Sequence, residues 1–591
     1  MQKKQENPLL YLFKKMWRYS EGNRKKVVIF WGMAVTSSSL GLFLGPLIFA
    51  KIIDVIAKEG VSTSSIATLL PLLCAIVLLE FVFWVIHGPS RVMERINAFH
   101  VRANYRKYLL QGVMGLPMEW HVDHHSGDTI DKVEKGTNAL FSFSEESFEV
   151  IYAVVRLVGS YGMLVYFSPS SAYIVLFMVI LTMWITMKFD TILVKEYEEL
   201  NRAENTISES IFDAISNIST VIILRVERLV FRAIEHKIQK PFELFKHNNL
   251  LNEMKWFLTS MCCAVMVALV LGTFFWANKD VKIEALVASV YLLVNYLSKV
   301  SELFYTFTTM YGGVLKRRAA VRNAEELARD FRNGNVTSHV LPKTWEHLDV
   351  SELTFSYHGE GDTDLHLDDV SLRIKRGEKV AFIGETGSGK TTFLKVARGL
   401  YGTKSLKLRV DGVDVVEGFE GIEQDIALVP QSPELFATTI RDNITLGAEY
   451  DDAFVERYTD MACFTDVAEK LPNGLETSIR EKGVNLSGGQ QQRLALARGL
   501  LASHDKGILL LDEPTSSLDA VTETKVYQNI FTGCAAKTVI STIHRLHLLP
   551  LFDRIYLFEG GKVIASGTLA ELLRSCNAFQ VLWQKSVAAS E

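Results

Sequence analysis

The sequence predicts an all-α membrane domain with six transmembrane helices, followed by an α/β domain of the P-loop nucleoside-triphosphatase class. Three observations support this prediction. The first half of the chain contains six apolar segments, residues 384–392 form a phosphate-binding P-loop, and a second glycine-rich motif follows at 486–490. At 591 residues the chain is also long enough for more than one domain.

The six apolar segments are nearly all long enough to cross a bilayer, which takes about 20 residues. They span residues 27–56, 66–86, 148–167, 172–194, 256–276 and 283–305. In the N-terminal segment, 1–26, apolar residues 9–13 are followed by Lys14, Lys15, Trp17 and Arg18. This pattern favours an amphipathic helix in the membrane interface over an ordinary solvated helix.

Charge and loop length predict the topology. The N-terminal lysines and arginines put this end in the cytoplasm, and six spans then return the C-terminal half to the same side. The inner segments, 87–147 and 195–255, are long, charged and helical in period, so the helices should continue out of the membrane. We expect a membrane domain at 27–332, a linker at 333–347 and the second domain at 348–591.

Ionisable residues within the spans are costly and therefore mark candidate functional positions. Arg156 and Glu80 fall at comparable depth in the third and second spans, where they either form a structural pair or line a cavity; we favour the pair. Lys299 and Glu302 in the sixth span either face a cavity or pair at i, i+3. The six cysteines have no metal or CxxC spacing, so disulfides are not expected.

The P-loop follows a predicted buried strand at 380–383 and opens a helix. Its glycines allow a tight turn whose backbone N–H groups wrap a phosphate chain, while the helix presents its positive end to the anion. Lys390 should reach the β- and γ-phosphates, and the Thr391 hydroxyl should bind Mg²⁺. The candidate binding residues are Gly384, Glu385, Thr386, Gly387, Ser388, Gly389, Lys390, Thr391 and Thr392.

A second strand, predicted at 508–512, ends in two acidic residues. Asp512 is positioned to hold Mg²⁺ through water, and Glu513 is the candidate general base for the attacking water. Two carboxylates at the end of a buried strand are costly unless they meet a metal ion or take part in chemistry.

Together these motifs give the whole chain, 1–591, a resemblance to half-transporters of the ATP-binding cassette (ABC) exporter superfamily. The resemblance implies that Tyr357 stacks on adenine, that Gln431 lies near Mg²⁺ and the attacking water, and that His544 is the switch histidine. It also implies that the signature binds the γ-phosphate held by a partner's P-loop. The signature residues are Ser487, Gly488, Gly489 and Gln490.

The resemblance further implies coupling helices near 117–127 and 224–227. A metal site is the alternative for His121, His124 and His125 with Asp123 and Asp128, and coupling is preferred. One departure lies before the signature, where Lys482 replaces the usual arginine.

The expected function is ATP-driven transport with ATP and Mg²⁺, by an exporter or flippase of an amphipathic substrate that works by alternating access. The expected partners are membrane lipids, the unknown substrate and a second half-transporter, with a homodimer favoured over a heterodimer. The expected location is the bacterial cytoplasmic membrane. An importer on the same fold and an ATP-gated channel or regulator remain as alternatives. A net charge of −4 gives no support to nucleic-acid binding.

Overall fold

A computed structural model describes residues 7–124, 126–281, 283–331, 341–357, 366–432, 434–479 and 486–588. The chain forms two compact units. The first contains Met1–Leu116 and His124–Arg332, and the second contains Pro117–Asp123 and Asn333–Glu591. Most of the expected linker, 333–340, lies outside the described residues. Its last part does not: Leu341 and Trp345 are buried in the core of the second unit.

The first unit is helical. Its helices, numbered along the chain, are α1 Pro8–Tyr19, α2 Arg24–Glu59, α3 Thr63–Met114, α5 Ser126–Glu145, α6 Ser147–Phe167, α7 Pro169–Ser216, α8 Ile218–Ile223, α9 Glu227–Gln239, α10 Phe242–Ala277 and α11 Ile283–Leu327; the short α4, Met118–Asp123, belongs to the second unit. Within the described residues, six helical segments are long and apolar enough to cross a membrane, which confirms the six spans.

The spanning helices extend well beyond a bilayer. Helix α3 has 52 residues and α7 has 48, whereas about 20 suffice for the hydrocarbon core. The apolar part of α3 exposes Val77 and Phe81, which suits a lipid-facing surface, while its polar continuation buries Glu94 and Asn97. The prediction that the inner segments continue as helices is therefore confirmed.

The N-terminal helix α1 forms where the sequence predicts it. The Asn7 side chain caps its first turn by accepting hydrogen bonds from the backbone N–H groups of Leu9 and Leu10. Its buried face contains Leu12 and Met16. On the same helix Tyr11 donates a hydrogen bond of 3.0 Å to Glu325 of α11, so α1 is fastened to the end of the last span.

The predicted Arg156–Glu80 pair is wrong. Arg156 lies 3.8 Å from Glu302 of α11, whereas Glu80 accepts a hydrogen bond from Trp84 one turn along its own helix. The reason is the direction in which the side chains point: two residues at equal depth meet only if their helices turn those faces towards each other. Helix α6 packs against α2 and α11, and Glu80 lies on the exposed surface of α3. The i, i+3 pair of Lys299 with Glu302 is confirmed at 3.3 Å.

The second unit is an α/β domain with two sheets. The strands are β1 His347–Phe355, β2 Leu367–Lys375, β3 Lys379–Ile383, β4 Ser405–Val410, β5 Val413–Asp414, β6 Ile426–Val429, β7 Ile508–Asp512, β8 Thr538–Thr542, β9 Arg554–Glu559 and β10 Lys562–Gly567. The six-stranded sheet has the order β10-β9-β3-β8-β7-β6, and the antiparallel four-stranded sheet has the order β2-β1-β4-β5. The helices are α12 Lys390–Ala397, α13 Ile440–Thr445, α14 Asp452–Met461, α15 Thr465–Ala468, α16 Gly488–Ala502, α17 Ala520–Gly533, α18 Leu569–Ser575 and α19 Asn577–Ala588.

Both faces of the six-stranded sheet are buried, which explains why its central strands are continuously apolar. Each face of the sheet packs against its own hydrophobic core, and alternate residues of a strand point to opposite faces. Phe382 and Leu510 lie in one core, and Ala381 and Leu509 lie in the other. Strands β3, β7 and β8 are parallel, so their carboxyl ends meet at one edge of the sheet. Ligands of open α/β sheets bind at such an edge.

Candidate nucleotide-binding and hydrolysis site

The P-loop begins where β3 ends at this edge. Two of its residues have to be glycine. Gly384 has φ +142°, and a Cβ there would lie 2.2 Å from the carbonyl oxygen of Phe558; a Cβ on Gly389, at φ +104°, would lie 2.9 Å from that of His366. The loop therefore runs too close to the neighbouring backbone for any side chain at these two positions. Helix α12 begins directly after it, at Lys390.

Lys390, the first residue of α12, is buried with its ammonium turned into the P-loop. Its Nζ donates hydrogen bonds of 2.8 and 2.9 Å to the carbonyl oxygens of Gly384 and Glu385. Burial lowers the pKa of Lys390, while the carboxylates of Glu513 and Asp512 oppose that shift. A cation within a loop that ends at a helix N-terminus fits a polyphosphate anion.

Asp512 ends β7 and is held by two threonine hydroxyls. Its Oδ1 accepts a bond of 2.9 Å from Thr391 and one of 3.0 Å from Thr542, the last residue of β8. Burial raises the pKa of Asp512, and the two hydroxyl bonds oppose the shift. Carboxylate and hydroxyl oxygens are hard donors of the kind that Mg²⁺ prefers, so the pair Thr391 and Asp512 fits this ion.

The three candidate catalytic side chains meet at Glu513. One carboxylate oxygen accepts a 2.7 Å hydrogen bond from Nε2 of Gln431, and the other lies 2.6 Å from Nε2 of His544. The Glu513 backbone has φ +46°, and its N–H donates to the Thr542 hydroxyl at 2.9 Å. Only 14% of the Glu513 side chain is exposed, so the turn and its partners fix the carboxylate in one place.

Tyr357 flanks the other side of the P-loop helix. It is 40% exposed and makes edge-to-face contacts with Phe355, His366 and Tyr401. Its hydroxyl lies 3.5 Å from the hydroxyl of Thr392. An exposed ring that its neighbours fix on edge leaves a face open for stacking with a base.

The signature residues form the start of α16. Ser487 is the N-cap, and it makes a reciprocal capping box with Gln490. A Cβ on Gly489 would lie 3.1 Å from the carbonyl oxygen of Ser517. Among the described residues no hydrogen bond joins the signature to the P-loop. Ser487 and Gly488 are exposed, whereas Gly489 and Gln490 are half-buried.

Two residues that the sequence analysis did not single out hold this site together. Gln492 of α16 donates to the carbonyl oxygen of Glu513 at 3.2 Å and accepts from the N–H of Ser517 at 2.9 Å. Glu523 of α17 is buried, accepts a 2.7 Å hydrogen bond from Thr515 and pairs with Arg545, which follows His544 in the chain. The signal that could have identified them is a polar side chain on the buried face of a helix, Gln492 on α16 and Glu523 on α17.

The first predicted coupling segment contains α4, which clusters with the second unit. Oε1 of Glu119 accepts a 3.4 Å hydrogen bond from the backbone N–H of Gly402. Within the described part of the chain, no group of three or more His, Cys, Asp or Glu residues is arranged to hold a metal ion. His125 and the departure at Lys482 both lie outside the described residues.

Comparison with known proteins agrees with this arrangement. Residues 28–299 match the family model of the ABC transporter transmembrane region, and residues 367–516 match that of the ABC transporter. The chain belongs to the ABC transporter family. It is a half-transporter, with one six-span membrane domain and one ABC domain, and the family implies ATP binding and ATPase activity coupled to transport.

Several ABC transporters are similar to this chain. The glutathione/L-cysteine transport system protein CydD of Bacillus subtilis is 26% identical over 85% of this chain and 88% of its own. The β-(1→2)glucan export protein NdvA of Rhodopseudomonas palustris is 28% identical over 91% and 90%. The lipid A-core flippase of Burkholderia pseudomallei is 37% identical over 38% of both chains. A bacterial Atm1-family ABC exporter with ATP bound has a TM-score of 0.83 and 20% identity, over 95% of this chain and 99% of that one.

Proposed function

We propose that this chain is one half of a dimeric pump that moves an amphipathic substrate across a membrane by alternating access, most directly as an exporter or flippase. The observation that carries the proposal is the position of Glu513. Its carboxylate is fixed in place by Gln431 and His544 next to Asp512, and a general base has to be positioned within hydrogen-bond reach of the water that it deprotonates.

Each residue has a distinct part in the proposed hydrolysis. Glu513 accepts the proton of the attacking water, and His544 and Gln431 fix the direction of its carboxylate. Lys390 and the P-loop N–H groups bind the phosphates, and Tyr357 stacks on the base. Mg²⁺, held by Thr391 and Asp512 with Gln431 nearby, would neutralise phosphate charge.

The separation of the signature from the P-loop supports a dimer. Ser487 and Gly489 open a helix whose N–H groups suit an anion, but within the described part of the chain no P-loop phosphate site lies against them. A second chain would supply that phosphate, so two chains would build two shared sites. Because Glu513, His544 and the signature are all present, one kind of chain is sufficient, which favours a homodimer over a heterodimer.

The membrane, the substrate and the direction are also proposals. We place the protein in a bacterial cytoplasmic membrane with the ABC domain inside, following the basic N-terminus. The relatives are named for glutathione or cysteine transport, glucan export and lipid A-core flipping, three different kinds of cargo. An importer on the same fold is the alternative within transport. A channel or regulator is disfavoured because a gate does not need the hydrolytic arrangement at Glu513.

ATP turnover of the purified chain in lipid nanodiscs tests the proposal. The Glu513→Gln variant should lose at least about 100-fold in turnover, the contribution of a general base, and still bind ATP. Glu449→Gln, which changes an exposed glutamate of the same domain, is the matched control and should leave turnover unchanged. Equal turnover in the wild type and Glu513→Gln would refute the proposed role of Glu513.

A further inference from the structure

Helix α11 has a polar stripe within and just beyond its spanning part. Ser298, Glu302, Tyr305 and Thr309 are all exposed, and their spacing puts them on one face of the helix. Lys299 lies beside this stripe and pairs with Glu302. The charged groups of this face are costly against lipid tails, because Lys299 and Glu302 would lose their hydration there.

The exposed face of α3 provides the contrast. Val77 is 71% exposed and Phe81 66% exposed, and the exposed acid beside them, Glu80, accepts a hydrogen bond from Trp84 of the same helix. The face of α11 differs because two charged side chains, Lys299 and Glu302, lie on or beside it with Arg156 next to them, and such a cluster is better suited to water or to another polar surface than to hydrocarbon.

Three charged side chains meet on this polar face. Nη1 of Arg156 lies 3.8 Å from Oε2 of Glu302, and Nζ of Lys299 lies 3.3 Å from both carboxylate oxygens of Glu302. The three side chains remain 40%, 33% and 51% exposed for Arg156, Lys299 and Glu302. Two cations share one carboxylate, so the cluster carries a net charge of about +1.

The guanidinium of Arg156 has donors to spare. Among the described residues it makes no hydrogen bond, and besides Glu302 its neighbour is the ring of Tyr152, whose centre lies 5.7 Å from the guanidinium carbon. A guanidinium presents five N–H groups in one plane, a geometry that matches the two oxygens of a carboxylate or phosphate. Leaving such a group unsatisfied within a membrane is costly, so a polar ligand or water must complete it.

We propose that Arg156 and Lys299, held in place by Glu302, bind an anionic group of the transported molecule, either a carboxylate or a phosphate. The net positive charge disfavours a cationic substrate. A zwitterion remains compatible, because its ammonium group can pair with the carboxylate of Glu302. The anionic group belongs either to a soluble solute or to a lipid headgroup. This inference rests on the proposed transport function, because it assigns the charge of the cargo.

Thiol modification tests the proposal on the full chain in nanodiscs without nucleotide. Ser298→Cys places a thiol on the polar stripe, and its reaction with an anionic sulfonatoethyl and a cationic trimethylammonioethyl thiosulfonate is measured. Both rates are normalised to those with 2-mercaptoethanol, and the reaction of the six native cysteines is subtracted by using the parent chain. The anionic reagent should react at least about threefold faster than the cationic one, as expected for one unit charge several Å away.

Charge variants give the sign of the effect. Arg156→Gln should bring the ratio of the two rates close to one, and Glu302→Gln should raise it above that of the parent. Lys58→Gln is the matched control, because Lys51 and Lys58 likewise share one carboxylate, that of Asp54, on α2; it should leave the ratio unchanged. Val77→Cys should react with neither reagent. The proposal is overturned if Ser298→Cys is inert, or if Arg156→Gln leaves the ratio unchanged.

Protection experiments identify the source of the anion. The rate of the anionic reagent is compared in phosphatidylglycerol and phosphatidylcholine nanodiscs, and in the latter with and without millimolar hexyl phosphate. Slowing by phosphatidylglycerol that is lost in Arg156→Gln assigns the site to a lipid headgroup, because the surface potential of the bilayer slows the anionic reagent equally in both chains. Slowing by hexyl phosphate that is lost in the same variant assigns the site to a soluble anion. Protection by neither contradicts anion binding.

A failure of the anion site and a failure of the proposed function give different results. The thiol rates need no ATP, whereas the role of Glu513 is tested by turnover. A chain that shows the predicted rate ratio without turnover would keep the anion site and lose the pump; normal turnover with a ratio of one would do the reverse.

Discussion

Single residues at the P-loop show how tightly the site is defined. At Gly384, both the positive φ and the close approach of the Phe558 carbonyl exclude a side chain. At Gly447, φ is also positive, +78°, but no atom lies within 4 Å of the position that a Cβ would take. The two glycines therefore separate backbone strain from steric collision.

We expect Gly384→Ala to abolish ATP binding and to destabilise the ABC domain by more than the strain alone. Gly447→Ala should cost only about 1–2 kcal/mol, the strain of a left-handed conformation, and should keep ATP binding. Thermal unfolding and a fluorescent-nucleotide titration of both variants measure this. Normal nucleotide affinity in Gly384→Ala would contradict the close packing of the loop against Phe558.

The positions of residues that belong to motifs at strand ends were predictable from the sequence, whereas contacts that depend on the direction of a helix face were not. Lys390, Thr391, Asp512 and Glu513 follow from motifs at the ends of strands, and the structure brings them together. The partner of Arg156 was missed because sequence depth says nothing about which way a helix face is turned.

At the scale of elements, helix ends combine structural and functional roles. Helices α16 and α18 both begin with a reciprocal capping box, formed by Ser487 with Gln490 and by Thr568 with Glu571. The first cap lies in the signature, and the second lies in a helix with no part in the proposed site. The two caps form an internal pair for comparison.

Ser487→Ala and Thr568→Ala should each destabilise the ABC domain by about 1 kcal/mol, because each removes one N-cap bond. Only Ser487→Ala should also reduce ATP turnover, since its hydroxyl is proposed to meet the partner's γ-phosphate. Thermal unfolding and turnover are measured for both. Equal loss of turnover in the two variants would show that Ser487 acts only as a helix cap and would contradict its proposed contact with the γ-phosphate.

The same elements set the limit of prediction from sequence. The strand at 508–512 and the six spans were predictable because continuous apolar runs identify them. Gln492 was not, because its bonds to the backbone of Glu513 and Ser517 depend on how α16 packs beside the end of β7. Such contacts arise from the tertiary arrangement and leave no periodic pattern.

At the scale of the whole molecule, the account requires two chains for each working site. Lys390→Ala removes the cation that is proposed to bind the phosphates. Ser487→Arg fills the signature at an exposed position, where the only expected structural cost is the lost N-cap, about 1 kcal/mol. If the P-loop of one chain works with the signature of the other, the effect of these two changes depends on how they are distributed between the chains.

Two differently tagged chains, purified together through both tags, allow the decisive measurement of ATP turnover. With Lys390→Ala in one chain and Ser487→Arg in the other, one shared site remains intact, and we predict about half of the wild-type turnover if the two sites are independent. With both changes in one chain beside a wild-type chain, both shared sites are damaged, and turnover should be lost. The reverse order, with activity only when both changes lie in the same chain, would contradict the account.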